Sequence, residues 1–296
     1  MLRRLDSLEG YAIGASDGAV GRVTDFLFDD EAWVIRYLVV YTGSWSSNRT
    51  VLISPIAIGQ PTWSDGALRL PMTTEQVRNS PDVDTNKPVS RQHELEYFSY
   101  YGYRPYYWGG SALWGVSDIP GASQADLGRA EVSVGPNTVA ENLARVAREV
   151  DQHRNDDPHL RSANMVMHHQ VKASDGTVGH VQGLLLDEDT WAIRYLVVDA
   201  GNWWLGHKVL IAPQWIQGVS WSERTVSINL TREAIKGSPA YDPAGTLHRE
   251  EEIKLHNHYR RHGYWADRVK LENPELRPVD PAPRGGRPAY RLKLVR

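Results

Sequence analysis

The chain has 296 residues, of which 41% are hydrophobic and 23% charged, and its formal net charge is -3 at pH 7. This composition excludes a wholly disordered chain, and the charge gives no global attraction to nucleic acid or anionic lipid. The sequence contains no cysteine, which excludes disulfides, thiolate catalysis, iron–sulfur clusters and Cys-ligated zinc.

The first residues of the chain, Met1–Ser7, reach an acidic residue before any apolar segment forms, so we expect no secretory signal. No apolar run approaches the roughly 20 residues that a membrane-spanning helix needs. Together with the lack of cysteine, these features favour a cytoplasmic protein without a transmembrane segment; peripheral membrane association stays open.

A long internal repeat dominates the sequence. Residues 15–40 read ASDGAVGRVTDFLFDDEAWVIRYLVV and residues 173–198 read ASDGTVGHVQGLLLDEDTWAIRYLVV, an offset of 173 − 15 = 158 positions. The match continues without a gap through later pairs: Trp45/Trp203, Pro55/Pro213, Trp63/Trp221 and Pro81/Pro239. The period far exceeds that of a solenoid, so it predicts a duplicated domain in which each copy has its own core.

Each repeat has the pattern of a small β domain. The Ser-Asp-Gly sequences at 16–18 and 174–176 are typical of tight turns, and Gly21 and Gly179 indicate a bulge or a close backbone approach. An acidic turn then leads into a segment rich in β-branched and aromatic residues. We predict a mainly β protein with two homologous small antiparallel β-barrels and a few short helices.

Helical material follows each barrel. Thr73 and Thr231 are predicted N-caps of short helices, and residues 90–101 and 248–262 have mixed helical spacing. The predicted organisation is a first domain at 1–105, a linker at 106–157 with a helix at 138–150, a second domain at 158–266, and a Pro/Arg-rich tail at 267–296 that we expect to be disordered.

The combined motifs resemble the PRC-barrel family. These motifs are an S-D-G-x-x-G turn, then D-[DE]-x-x-W-x-I-R-Y-L-V-V, then V-L-I-x-P, and the resemblance covers about residues 2–108 and 159–265. The chain looks most like bacterial tandem members, and the family also includes the cytoplasmic domain of the reaction-centre H subunit and the C-terminal domain of a ribosome-maturation factor. The resemblance implies small antiparallel barrels that serve as docking surfaces rather than catalysts.

Five residues are candidate binding residues. Arg36 and Arg194 lie inside apolar strands, so each guanidinium needs water or a carboxylate; we favour a structural ion pair, with the acidic turns or Asp25 as partner, over a ligand-reading role. Trp45 lies in a predicted loop of the first repeat, and Trp203 and Trp204 lie in the equivalent loop of the second, where they either anchor a partner or cover the end of the barrel.

One weak metal-like constellation is present. His258 and His262 are four residues apart and would share a helix face, as zinc ligands can, although a polar helix face is the favoured interpretation. The acidic turns lack the ligand spacing of a calcium loop, and a near match to a phosphate-binding loop at 201–208 lacks the required Gly-Lys. We therefore predict no catalytic residue, no metal and no cofactor.

The predicted function is that of a non-enzymatic docking protein with a protein partner. Self-association through the barrels is a further expectation. Two alternatives rest on the resemblance: an RNA- or ribosome-associated factor, which the six basic residues of 276–296 also favour, and a membrane-associated accessory of photosynthetic electron transfer.

Overall fold

The computed structural model describes residues 1–43, 49–58, 61, 63–81, 97, 100–101, 160–200 and 207–266. The described part is mainly β, as predicted. Six strands belong to the first repeat: β1 Leu2–Arg4, β2 Ala12–Ala15, β3 Gly18–Asp29, β4 Val34–Tyr41, β5 Thr50–Ile53 and β6 Ala67–Arg69. Seven belong to the second: β7 Leu160–Ser162, β8 Gln170–Ala173, β9 Gly176–Asp187, β10 Ile193–Asp199, β11 Lys208–Ile211, β12 Ile216–Ser220 and β13 Thr225–Ile228.

The helices of the described part are short. They are α1 Pro55–Ile58, α2 Thr74–Arg78, α3 Ala163–Val166, α4 Arg232–Lys236 and α5 Arg249–His258, with 3-10 turns at Leu5–Leu8, Trp63–Asp65 and Pro213–Trp215. The predicted N-caps are confirmed, since Thr73 accepts the backbone N–H of Gln76 and Thr231 that of Ala234. The predicted linker helix at 138–150, most of residues 90–101 and the tail at 267–296 lie outside the described residues.

Two mixed sheets form the core of the fold. In the first, the strand order is β5-β4-β3-β2-β6, and in the second it is β11-β10-β9-β8-β13-β12. The expectation of purely antiparallel sheets is wrong for one pair in each, because β2 and β6 are parallel, as are β8 and β13. Strand direction alternates along the chain from β2 to β6. β6 therefore runs in the same direction as β2.

Two glycines at equivalent positions permit a tight backbone crossing. A Cβ on Gly21 would lie 2.1 Å from the carbonyl oxygen of Tyr41, and one on Gly179 would lie 1.8 Å from that of Asp199. Both distances are far below van der Waals contact, so only glycine fits. The close approach predicted from the sequence is confirmed in both repeats.

The repeats exchange their first strands. β1 pairs with β9 of the second repeat, and β7 pairs with β3 of the first. These pairings are equivalent, since Leu2 lies opposite Asp187 and Leu160 lies opposite Asp29, all related by the same 158-residue offset. Each sheet therefore includes a strand from the other repeat. The domain boundaries predicted from the sequence do not account for this exchange.

A second set of reciprocal bonds joins the repeats at Trp33 and Trp191. Their φ angles are 54° and 57°, a left-handed conformation that costs an L-residue about 1–2 kcal/mol. In this conformation the carbonyl of Trp33 accepts the N–H of Ile193 at 2.7 Å, and the carbonyl of Trp191 accepts that of Ile35 at 2.9 Å. The junction thus has the pseudo-twofold symmetry of an isologous dimer interface, and one buried apolar cluster continues across it.

Candidate binding cleft between the repeats

An open cleft of about 630 Å³ lies where the two repeats meet. The first repeat lines it with the acidic turn before β4, including Asp30 and Trp33. The second repeat lines it with β12, Arg161 of β7 and Arg194 of β10. Among the described strands, β12 is the last in the order of its sheet, so a sheet edge forms one wall. The cleft exists only because the repeats are joined.

One end of the cleft is fixed by a three-residue cluster across the junction. The carboxylate oxygen Oδ2 of Asp30 accepts the Arg161 Nε–H at 3.0 Å and the Trp221 Nε1–H at 3.1 Å. The Arg161 guanidinium carbon also lies 5.0 Å from the centre of the Trp221 ring, which is a cation–π contact. Because the carboxylate and guanidinium are largely shielded from water, this cluster holds the acidic turn rigidly against the second repeat.

Arg194 is held in the cleft wall from three directions. Its Nε and Nη2 atoms donate to Oδ2 of Asp187 at 3.1 and 3.0 Å, and Nη2 also donates to the Thr190 hydroxyl at 3.1 Å. The guanidinium carbon lies 4.1 Å from the centre of the Tyr264 ring. Within the described part of the chain, Nη1 makes no hydrogen bond. The structure therefore presents a fixed cation with one donor group still available.

The charge of Asp187 is maintained by Arg194. Burial acts to raise the pKa of the Asp187 carboxyl, but the Arg194 charge and the backbone N–H of Asp189 outweigh it and leave the pKa below its usual value. The Asp187 carboxylate consequently stays ionised at neutral pH. Its two hydrogen bonds hold the guanidinium of Arg194 in position at the cleft wall.

The equivalent arginine of the first repeat has a different environment. Arg36 is only 4% exposed, and its Nη2 donates to Oδ2 of Asp29 at 3.1 Å. It does not line the cleft. The predicted ion pair with the acidic turn is present in both repeats, and Asp25, the other suggested partner, instead accepts the Ser162 hydroxyl and the Asn164 N–H of the second repeat.

Arg194 packs against a layer of aromatic and charged side chains formed by Tyr264, Arg249 and Glu252. The Tyr264 ring contacts two guanidinium groups, since the guanidinium carbon of Arg249 lies 5.1 Å from its centre and that of Arg194 lies 4.1 Å from it. The Tyr264 hydroxyl donates to Glu252 at 3.0 Å, and Glu252 is also paired with Arg249. Burial raises the pKa of Tyr264 to about 12 and also raises that of Glu252.

His256 of α5 lies deeper in the same layer. Its Nε2 atom is 3.0 Å from the hydroxyl of Tyr195, and its ring packs edge-on against Trp215 and Trp265. Burial lowers the pKa of His256 and raises that of Tyr195. The imidazole is therefore neutral at neutral pH, and one hydrogen bond joins its Nε2 atom to the tyrosine hydroxyl.

The remaining sequence candidates are three tryptophans and two histidines. Trp45, Trp203 and Trp204 lie outside the described residues, so their predicted role stays a prediction. The prediction that His258 and His262 share a helix face is wrong, because Arg260 takes a φ of 52° and α5 ends at His258. Among the described residues, no group of three or more His, Cys, Asp or Glu side chains is placed to hold a metal.

Arg161 was not predicted as a cleft residue. The match of Leu160-Arg161 to Leu2-Arg3 at the offset of the repeat shows only that the two segments are equivalent. The partner of a three-residue strand is nonetheless invisible to a local pattern. Trp221 was recognised only as the equivalent of Trp63.

The described helices include none that is long and apolar enough to cross a membrane. No protein-family model matches the chain, and a search of curated proteins finds no match either.

Proposed function

We propose that this chain is a non-enzymatic, cytoplasmic docking protein made of two homologous small barrels of the PRC-barrel type, and that the cleft between the repeats binds a protein partner. The proposal rests chiefly on Arg194, a rigidly held cation that lines the cleft and keeps one donor group unused by the described residues. A guanidinium in that state is suited to a carboxylate of the partner.

The walls of the cleft agree with a protein ligand. The edge strand β12 offers backbone groups and the exposed side chain of Gln217, while the half-buried Trp221 adds aromatic surface. Edge strands and aromatic side chains are common elements of protein-binding sites. The partner in this proposal is a segment that places an acidic side chain or a terminal carboxylate next to Arg194.

The test compares charge changes inside and outside the cleft. Tagged full-length protein is used to capture partners from cells in which it is native, as wild type and as Gln217→Glu, Gln217→Lys and Gln170→Glu. Gln170 is an exposed residue of β8 and provides a matched control. We expect Gln217→Glu to reduce capture of the specific partner at least tenfold, Gln217→Lys to preserve or increase it, and Gln170→Glu to leave it unchanged.

Equal capture by Gln217→Glu and Gln170→Glu would show that the cleft is not the docking site. Circular dichroism of each variant controls for folding, and neither glutamine contributes a side chain to the buried core.

A further inference from the structure

The same dipeptide is seated on two equivalent sheet edges of this molecule. Leu2-Arg3 lies on the edge of β9, and Leu160-Arg161 lies on the edge of β3. Each is an extended segment of three residues paired antiparallel with the end of a long strand. The same two residue types are thus bound at two equivalent sites, although the residues that flank them in the chain differ.

At the first site, the arginine contacts a carboxylate and an indole ring. Arg3 Nε donates to Oε1 of Glu188 at 2.6 Å, and its guanidinium carbon lies 5.2 Å from the centre of the Trp63 ring. The backbone N–H of Glu188 donates to the carbonyl of Met1 at 3.0 Å. Main-chain bonds therefore hold the strand, and one charge-assisted contact selects its second residue.

The second site repeats this arrangement with its own residues. Asp30 takes the place of Glu188 and Trp221 takes the place of Trp63, at 3.0 Å from the Arg161 Nε and 5.0 Å from its guanidinium carbon. The shared pattern is a leucine on the sheet edge followed by an arginine between a carboxylate and a tryptophan. Because it recurs, it defines the chemistry that these edges select.

The two occupants are held with different strength. β7 is anchored by Leu160, which is fully buried, and by Ser162, whose hydroxyl is bound by Asp25 and caps α3. All three residues of β1 are only partly buried, and its arginine side chain is more exposed, at 26% for Arg3 against 12% for Arg161. β1 is therefore the easier occupant to displace.

We propose that the β9 edge, with Glu188 and Trp63, is a binding site for an extended segment of a protein partner in which leucine is followed by arginine. The segment adds to the sheet in place of β1, as in other cases of strand addition. Its backbone bonds to residues 185–187, and its arginine binds between the Glu188 carboxylate and the Trp63 ring. This site is separate from the cleft and does not depend on the function proposed for it.

β1 acts at this site as a tethered competitor. A covalently linked segment competes at an effective concentration on the order of millimolar. A free peptide therefore binds the wild-type chain weakly, and weakening β1 opens the site. This competition sets the direction of the test.

The test uses full-length protein and a fluorescent peptide, acetyl-Met-Leu-Arg-Arg-Leu-amide, with binding followed by anisotropy. In Arg3→Glu, repulsion from Glu188 frees the edge, and we expect at least tenfold tighter peptide binding than to wild type. The same peptide with glutamate in place of its first arginine should bind at least tenfold more weakly. The double variant Arg3→Glu/Glu188→Arg restores the β1 pair with its charges reversed, so it should not bind the arginine peptide.

Two results would overturn the proposal. One is undetectable binding of the arginine peptide to folded Arg3→Glu at millimolar peptide, and the other is equal binding of the two peptides. Arg3→Ala, which removes the contact without adding repulsion, serves if Arg3→Glu does not fold. The Gln217→Glu variant should bind the peptide like wild type, so a failure here is distinguishable from a failure of the cleft.

Discussion

The two repeats use the same arginine differently. Arg36 and Arg194 follow the same turn, lie on equivalent strands and pair with equivalent aspartates. Arg36 is only 4% exposed, whereas the Arg194 side chain is 19% exposed and forms part of the cleft wall. The local sequence determines the ion pair in both repeats, but the surroundings determine whether it is only structural or is also available to a ligand.

Replacing each arginine in turn gives the largest expected difference in stability between the two repeats. In Arg36→Met, the Asp29 charge remains buried near the site of the lost cation, so we expect unfolding to become easier by about 3–5 kcal/mol. In Arg194→Met, water reaches the Asp187 carboxylate more readily, and we expect a loss of about 1–2 kcal/mol. Urea denaturation measures both changes in the free energy of unfolding. Arg69→Met, at an exposed position of β6, is the control, for which we expect a change near zero. Equal losses at the two sites would refute the distinction.

A second comparison concerns Asp25 and its equivalent, Gly183. Asp25 binds the Ser162 hydroxyl and the Asn164 N–H across the junction, while Gly183 has no side chain for such contacts. We expect Asp25→Ala to cost about 1–2 kcal/mol and to speed hydrogen exchange at the Asn164 amide. Gly183→Ala is the control, since its Cβ would meet Val197 at an ordinary 3.6 Å. An unchanged exchange rate in Asp25→Ala would show that the contact does not hold α3.

The smallest expected effect is a difference between the aromatic layers of the two repeats in how their stability depends on pH. In the first repeat, Tyr37 packs edge-on against Tyr97, whereas Tyr195 in the second bonds to His256. Burial lowers the pKa of His256 from 6.5, so the unfolded chain binds this proton first as the pH falls. Its contribution to stability is present above pH 6.5 and is lost as the pH falls toward the lowered pKa of the folded state.

We therefore expect His256→Gln to reduce the loss of stability between pH 7.5 and pH 5.5. Denaturant unfolding of wild type and variant at both pH values measures this difference. Glu252 acts in the opposite sense, because burial raises its pKa from 4.5 and its contribution falls as the pH rises. Since Glu252 is present in both proteins, the comparison isolates the histidine. An identical pH dependence would contradict the prediction.

Features set by neighbouring residues were predictable from the sequence. The Thr73 and Thr231 caps, the glycine crossings and the arginine–aspartate pairs depend on residues close in the chain or on a single missing side chain. The pattern of each segment therefore contains the necessary information.

Features set by distant pairing were not predictable. The three residues of β1 have no alternation that identifies a partner, and that partner, β9, begins more than 170 positions later. The cleft depends on this exchange, so Arg161 could not be assigned to it. The His258/His262 prediction failed for a local reason, since the left-handed turn at Arg260 has no strong sequence signal.

The reciprocal bonds at Trp33 and Trp191 have a consequence for how the molecule diverges. In a dimer of identical subunits, every substitution at the interface appears on both sides of the axis at once. Joining the halves in one polypeptide removes that constraint, so a change can be accepted on one side while the other keeps its older residue. Asp25 and Gly183 occupy equivalent positions with different residues, so the pseudo-symmetric scaffold has two distinguishable faces.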